Sequence, residues 1–270
     1  MSLGTTLRRV RVAQQLSQQQ VADGLCAQSM LSAVENDRYV PNAKLLLALC
    51  RRLKISVDQF SLADDFDISS SQAFNAELSR LCNDHQYVAL KAFLLQPSTI
   101  ERVLTDQQTQ AYYYYLGVAE MHVDADWDQA QHNLNFAIHL TGTRSVLTRL
   151  ALAALAVIKA KLGYPKTANE LVRESLTNIE TVPYQADLNV VYFLSALVAY
   201  TLQENDLAGQ RLAAGITYIT AHQSPYMLAN SYRLLAQIAA RQGRSTDQQT
   251  ALAQQRFLSQ LFHEKISSDF

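Results

Sequence analysis

Small residues recur in this sequence at intervals of 40. Ala156, Ala196 and Ala236 form one series, and Ala168 and Ala208 form a second, each twelve residues after an alanine of the first. A small residue on one helix and another on the next lets paired helices pack closely, as they do in tetratricopeptide arrays. The spacing therefore predicts helical hairpins stacked in series.

Helix breakers are rare along the whole chain. The 270 residues include 8 glycines and 5 prolines, which favours long helices joined by short turns, because strands need many turn residues. We predict an all-α chain whose larger part is a tetratricopeptide-like right-handed superhelix of about five helical hairpins. An earlier copy of the alanine pair is Gly117 and Ala130, one residue out of step. The predicted repeat helices span 72–82, 84–96, 107–123, 125–141, 144–162, 165–181, 184–204, 206–222, 225–242 and 245–264.

The first sixty residues carry a pattern of five shorter helices. Ser17 is placed as the N-cap of the second helix, and Gly24 stands just past its end, where glycine tolerates a left-handed backbone. Two helices joined by a tight turn near Gly24 indicate a helix-turn-helix. The predicted helices run to about residue 14 and over 18–23, 28–36, 42–53 and 56–60.

The same region resembles a known family. Segments 16–22 and 28–36, followed by Pro41, resemble the XRE or phage-repressor type of helix-turn-helix. Segment 24–29 and the degenerate repeats are similar to the Rgg/PlcR (RRNPP) branch of peptide-responsive quorum-sensing regulators. The resemblance implies a transcription regulator that binds double-stranded DNA through its third helix and a short signalling peptide through its repeats.

Three regions follow from these patterns. We assign 1–63 to a helix-turn-helix DNA-binding domain and the acidic, then Ser-rich, stretch 64–71 to a linker. The remainder, 72–270, is a repeat domain for sensing and dimerisation. A single helix-turn-helix with few phosphate contacts binds weakly at cellular salt, so we expect a homodimer on two half-sites.

Five residues are candidates for contact with DNA. Gln28 and Ser29 open the third helix, whose N-terminal residues face base edges in this type of domain, and glutamine can bind adenine in bidentate fashion. Asn36 and Arg38, just beyond that helix, and Gln18, at the start of the second, are candidates for phosphate contact. The alternative for Gln28 is an exposed helix start without a DNA role.

Arg11 and Glu35 have a structural interpretation instead. The resemblance implies that these two side chains pair and tie the first helix to the third. Residues 1–60 carry eight basic and four acidic side chains, which leaves this region at +4 and the remainder at −5. A basic first region suits contact with phosphates.

Candidate peptide-binding residues come from the repeat phase. The first helix of each hairpin lines the concave side of such a superhelix, and residues six before, three before, one after and four after the repeated alanine should face inward. An extended peptide needs polar groups for its backbone as well as an apolar groove. The predicted residues are Tyr114, Phe193, Tyr200, Asn230, Arg233 and Gln237. The alternative for the aromatic side chains is a place in the core.

Catalytic chemistry is not indicated. The histidines are scattered, no metal-binding or phosphate-binding motif occurs, and three cysteines without CxxC spacing predict neither a disulfide framework nor a zinc site. We therefore predict no enzyme and no cofactor. The longest apolar run, 150–158, is about half of the ~20 residues that a spanning helix needs, so we expect a cytoplasmic protein. An adaptor whose repeats bind another protein, without a peptide ligand, remains the alternative function.

Overall fold

The computed structural model describes residues 3–36, 38–39, 41–55, 66–123, 127–140 and 145–266. Within these ranges the regular elements are all helices. The chain divides into two compact units, Met1–Asp64 and Asp65–Phe270. The predicted helix 56–60 lies outside the described residues.

Four helices build the first unit around one apolar core. The buried side chains include Leu7 of the first helix, Val21 of the second, Leu31 of the third and Leu49 of the fourth, each fully buried. Ser17 caps the second helix as predicted: its Oγ accepts the Gln20 N–H at 3.1 Å, and Gln20 Oε1 accepts the Ser17 N–H at 2.7 Å. The helices are α1 Leu3–Ala13, α2 Gln18–Ala22, α3 Gln28–Glu35 and α4 Ala43–Leu53.

The second unit is a series of helical hairpins. Neighbouring helices pair as α5 with α6, α8 with α9, α10 with α11, α12 with α13 and α14 with α15, and successive hairpins pack on one another. The bounds are α5 Gln72–Asn83, α6 Tyr87–Leu94, α7 Pro97–Ile100, α8 Asp106–Val123, α9 Trp127–His139, α10 Val146–Lys161, α11 Pro165–Leu176, α12 Leu188–Thr201, α13 Asn205–Ala221, α14 Leu228–Arg241 and α15 Ser245–Phe262, with a 3-10 turn at Ile179–Thr181.

The repeated alanines lie in the core of the second unit. Ala156 and Ala196 are fully buried on the first helices, as are Ala168 and Ala208 on the second helices. In the earlier hairpin Gly117 takes the same role, since a Cβ there would lie 2.8 Å from Leu134 Cγ. Small residues at this period therefore set the distance between paired helices.

Some boundaries differ from the prediction. The helix predicted over 84–96 is shorter, as α6, and the four-residue α7 that follows it was not predicted. The helix predicted over 165–181 ends at Leu176, before the 3-10 turn. The helices predicted to begin at 184 and 225 begin later, at Leu188 and Leu228. Pro183 and Pro225 lie before these helices, and a turn follows each proline, closed in the second case by the Leu228 N–H donating to Pro225 O at 3.1 Å. The proline ring fixes φ for a turn as readily as for a first helical turn.

The described part of the predicted linker packs into the second unit. Phe66 is 9% exposed and Ile68 is fully buried in that unit's core. Asn75, in α5, donates its Nδ2 hydrogen to Ser69 O at 2.8 Å. Residues 66–71 thus belong to the second unit, because two large apolar side chains in an acidic and Ser-rich segment are enough to bury it.

Buried polar side chains also recur at about 40 residues. Gln110, Arg149, Asn189 and Asn230 each lie near the start of a first helix and donate to main-chain carbonyls near the end of the same hairpin. The acceptors are Ala137 O at 2.6 Å, Ser175 O at 2.7 Å, Tyr226 O at 3.0 Å and Lys265 O at 2.9 Å, respectively. The first two acceptors lie in the last turn of a second helix, where carbonyls lack a partner within the helix, and the other two lie in the connection that follows one.

Candidate functional site

The turn between α2 and α3 leaves the start of α3 open to solvent. Gly24 has φ +69° within that turn, as the sequence predicts. Gln28 and Ser29 are exposed, whereas Leu31 and Val34 of the same helix are buried in the core. The helix is thus anchored by one face and presents its N-terminal residues on the other.

A buried ion pair holds α3 against α1. Arg11 Nε donates to Glu35 Oε1 at 2.6 Å and Arg11 Nη2 donates to Glu35 Oε2 at 2.8 Å, so the pair is bidentate. Arg11 Nη1 also donates to Leu16 O at 2.8 Å. Burial disfavours the charged carboxylate, but the hydrogen bonds from Arg11 and Gln18 outweigh burial and hold the pKa of Glu35 below its ordinary value.

The same network reaches the exposed end of α3. Gln18 Nε2 donates to Glu35 Oε2 at 2.7 Å, and Gln28 Nε2 donates to Gln18 Oε1 at 2.6 Å. A primary amide has two N–H groups and an oxygen, so the bond to Gln18 fixes the Gln28 amide and leaves it one N–H and its oxygen for another partner. Gln18, predicted to contact phosphate, is itself the link between Glu35 and Gln28.

The remaining predicted DNA contacts lie at the other end of α3. Asn36 is exposed and donates its Nδ2 hydrogen to Ser32 O at 2.8 Å, which caps the last turn of the helix. Arg38 is exposed as well. Arg52 of α4, for which no contact was predicted, donates to Gln20 O and Asp23 O at 2.9 Å each and so caps the end of α2.

The second unit contains a cavity of about 140 Å³ on its inner side. The first helices supply its apolar wall, as the repeat phase predicts: Leu150, Val157, Val190, Phe193 and Leu197 all line it. The other walls are aromatic or polar. They include Phe66, Tyr87, Tyr114, Tyr115, Tyr226, His85, His122, Lys161, Asp187, Asn230 and Glu264.

Three of the six predicted peptide-binding residues line this cavity. They are Tyr114, Phe193 and Asn230. Tyr200 is instead packed under Arg241, whose guanidinium carbon lies 3.4 Å from the tyrosine ring centre. Arg233 and Gln237 are half-buried residues of α14 outside the described lining. The cavity therefore extends along α12 as far as Leu197 but reaches only the first turn of α14.

At the cavity mouth, residues of the first hairpin meet the connections that precede and follow the last hairpin. Tyr226 Oη donates to Asn83 Oδ1 at 3.3 Å, and His85 Nε2 lies 3.3 Å from Lys265 O. His85 Nδ1 lies 2.9 Å from Tyr87 Oη, which fixes the imidazole ring. Burial raises the pKa of Tyr226 well above its ordinary value, so this hydroxyl stays a donor.

Glu264 is the acidic group at this mouth. Its carboxylate accepts the N–H groups of Ala229 at 3.0 Å and Asn230 at 3.2 Å, and the Asn230 Nδ2 hydrogen at 2.6 Å. Burial raises the pKa of Glu264, although these donors act in the opposite direction. Burial likewise raises the pKa of the Cys82 thiol in the cavity wall to about 12, which favours its protonated form.

Sequence reasoning missed the residues at the mouth. Asn83, His85, Tyr226 and Glu264 lie at helix ends or in the connections after helices, which helical periodicity does not cover. A signal was available for the inner polar series, because Gln110, Arg149, Asn189 and Asn230 are spaced by 39, 40 and 41 residues.

Neither a metal site nor a membrane-spanning helix occurs among the described residues. Among the described residues, no group of histidine, cysteine, aspartate or glutamate side chains could hold a metal ion. In the part of the chain that the structure describes, the helices are too short or too polar to cross a membrane.

Comparison with known proteins identifies the first unit and the fold. Residues 7–60 match the family HTH_3, helix-turn-helix. The structure is similar to that of Bacillus thuringiensis PlcR in complex with the peptide PapR7 and DNA, with a TM-score of 0.68 at 18% identity over 97% of this chain and 96% of that one. The apo form of PlcR gives a TM-score of 0.59 at 16% identity over 97% and 94% of the two chains. A comparison with curated sequences found no match. The predicted all-α fold with an N-terminal helix-turn-helix is confirmed.

Proposed function

We propose that this chain, which joins an HTH_3 helix-turn-helix to a repeat unit with the fold of PlcR, is a DNA-binding regulator of transcription that senses a short signalling peptide. In this proposal the first unit binds double-stranded DNA, and the second binds the peptide and thereby alters DNA binding or transcriptional output. PlcR itself was crystallised with a peptide and DNA. We further propose that the protein acts in the cytoplasm.

The DNA-binding part rests on the position of Gln28. Its amide is exposed at the start of α3 and is fixed from behind by Gln18, which is fixed in turn by the buried Glu35. A side chain held in one orientation before binding loses little entropy when it meets a base edge. We therefore assign direct base contact to Gln28 and Ser29, and phosphate contact to Gln18, Asn36 and Arg38.

The peptide-binding part rests on one observation: a side-chain amide in the cavity already binds a main-chain carbonyl of this same chain. Asn230 donates to the main-chain carbonyl of Lys265 inside a cavity with apolar walls. Apolar walls and a few well-placed amide groups are what an extended peptide needs when it leaves water. Tyr114, Phe193 and Asn230 are the predicted residues that this observation supports, and Val190, Leu197 and Asp187 join them.

The cavity volume bears on how a ligand acts. Sites for small ligands commonly enclose about 300–1,000 Å³, and 140 Å³ is less than a short peptide fills. A whole peptide does not fit inside this space, so in this proposal it binds a more open form of the second unit. A ligand that binds one of two forms shifts the balance between them, which is the property that a sensor requires.

The weak DNA binding expected of a single helix-turn-helix favours a homodimer. One helix-turn-helix that neutralises only a few phosphates binds weakly at cellular salt, and two half-sites about 34 Å apart multiply the affinity. The side chains of Phe257 and Leu261 on α15 are 63% and 55% exposed, so this helix offers an apolar face for a second subunit. The alternative, an adaptor without a peptide ligand, would use the same face for another protein.

Two titrations on the full chain test the proposal. The first measures DNA affinity by fluorescence anisotropy with fragments of the promoters around its own gene, at low and at physiological salt. The second measures heats of binding for synthetic peptides of five to ten residues encoded by short reading frames in that neighbourhood. We expect one peptide to bind saturably and to change the DNA affinity at least fivefold. DNA binding without heat from any peptide would favour the adaptor. No rise in anisotropy with any DNA fragment would contradict the regulator.

A further inference from the structure

The segment that follows α15, residues 263–266, lies at the mouth of the ligand cavity; we name it the closing segment. Glu264 and Lys265 are among the residues that line the cavity. The main-chain carbonyl of Lys265 accepts the Asn230 hydrogen at 2.9 Å and lies 3.3 Å from Nε2 of His85, which is 180 residues earlier in the chain. The closing segment therefore spans the mouth from the last hairpin to the first.

The closing segment is held as a peptide ligand would be. Asn230 Nδ2 contacts both its backbone, at Lys265 O, and its acidic side chain, at Glu264 Oε1. The N–H groups of Ala229 and Asn230 complete the environment of the Glu264 carboxylate. One amide that contacts both the backbone and the side chain of an irregular segment makes the pair of contacts by which peptides are recognised.

The described contacts of this segment are hydrogen bonds. Its side chains are exposed or half-buried, and among the described clusters of buried apolar residues none includes residues 263–266. The connection held by Asn189 differs, because Met227 there is 7% exposed within the apolar core. Hydrogen bonds contribute little net stability where water competes for the same groups, and a second peptide can replace them one for one.

We propose that the closing segment is an internal occupant of the peptide site, which a signalling peptide must displace to enter the cavity. This inference rests on the proposed function. A tethered segment acts at a high effective concentration and keeps the mouth closed for much of the time. The apparent affinity of a free peptide is then its intrinsic affinity multiplied by the fraction of time that the mouth is open. The closing segment therefore sets the threshold concentration of the signal.

The test uses full-length chains and one defined probe, a fluorescently labelled synthetic peptide with the sequence of residues 262–270. Anisotropy titrations compare wild type, Glu264→Ala and the matched control Glu170→Ala, an exposed glutamate on α11. We expect Glu264→Ala to bind the probe at least tenfold more tightly than wild type, and Glu170→Ala to match wild type. A chain ending at Phe262 supplies a second variant, with the same gain expected, and circular dichroism verifies that each variant keeps its helix content.

A cavity variant decides whether the probe enters the proposed site. Val190 lines the cavity wall, so Val190→Trp combined with Glu264→Ala should reverse the gain. Equal affinity in wild type and Glu264→Ala, with binding still blocked by Val190→Trp, would overturn the role of the closing segment and leave the proposed function standing. A gain that Val190→Trp does not reverse would also overturn it, because the probe would then bind elsewhere. No binding to any of these chains would overturn it as well, while the calorimetric screen of wild type with other peptides decides the proposed function separately.

Discussion

The guanidinium of Arg11 meets the carboxylate of Glu35 through two hydrogen bonds, of 2.6 and 2.8 Å, where α1 crosses α3. Both side chains are nearly excluded from water, at 12% and 1% exposure. Removing one partner of such a pair leaves the other as an uncompensated charge. The orientation of α3 therefore depends on this pair as well as on the apolar core.

Arg11→Met should destabilise the first unit by about 3–5 kcal/mol, the usual cost of breaking a buried ion pair. The matched control is Arg9→Met, because Arg9 is exposed on the same helix and exposed substitutions usually change stability by less than about 0.5 kcal/mol. Hydrogen exchange of the Leu31 and Val34 amides reports the free energy of opening for this unit. Equal protection in both variants would contradict the role of the pair.

Acid should weaken the same unit through Glu35. Its pKa in the folded chain lies below the ordinary value of 4.5, so between these two values the unfolded chain binds more protons than the folded chain. The stabilising contribution is complete above pH 4.5 and is lost as the pH falls through the lower folded value. Hydrogen exchange from pH 6 to pH 3 should show the advantage of wild type over Glu35→Gln shrinking with falling pH. An advantage that is constant over this range would contradict the assignment.

Gln28→Ala should relax sequence preference more than it weakens overall binding. A good bidentate contact to one base contributes about 1–3 kcal/mol of discrimination, which corresponds to roughly five- to 150-fold between the preferred fragment and a random duplex. Arg38→Ala should instead weaken both duplexes alike and lower the salt slope by about one. Gln249→Ala, an exposed glutamine on α15, is the control. Equal loss on both duplexes for Gln28→Ala would exclude base contact.

Two aromatic residues of α12 separate the cavity from the rest of the inner face. Phe193 lines the cavity, whereas Tyr200, two turns later, packs beneath Arg241. Both alanine substitutions should destabilise the second unit by about 3–5 kcal/mol, since each leaves a void. Only Phe193→Ala should also lower affinity for the peptide identified by calorimetry, by at least tenfold at a temperature where both variants are folded. Similar peptide affinities for the two variants would place the ligand outside this cavity.

The elements that could be predicted are those set by local rules. Ser17 and Gln20 form the predicted cap, Gly24 takes the predicted left-handed backbone, and the alanines at a 40-residue period lie between paired helices. Each depends on residues that are close in sequence or on a period that the sequence displays.

The mouth of the cavity could not be predicted in the same way. Tyr226 and Asn83 meet although 143 residues separate them, and Lys265 lies beside His85 across 180 residues. These contacts depend on the accumulated rotation of successive hairpins, to which small differences in every connection contribute. Only three of the six predicted peptide-binding residues line the cavity for the same reason: the repeat phase predicts which helix faces point inward, but not where along them the cavity ends.

Two glycines in helix interiors should respond to alanine in opposite directions. A Cβ at Gly117 would lie 2.8 Å from Leu134 Cγ and 3.2 Å from Ala130 O, so α8 and α9 would have to separate, at a cost of about 1–3 kcal/mol. Gly209 in α13 has nothing within 4 Å of the same position, and alanine there should add about 0.5–1 kcal/mol by restricting the unfolded chain. Urea unfolding followed by the fluorescence of Trp127, in α9, measures both variants on one probe. Stabilisation by Gly117→Ala would mean that the distance between paired helices is not set by their small residues, and the meaning of the 40-residue period would have to be revised.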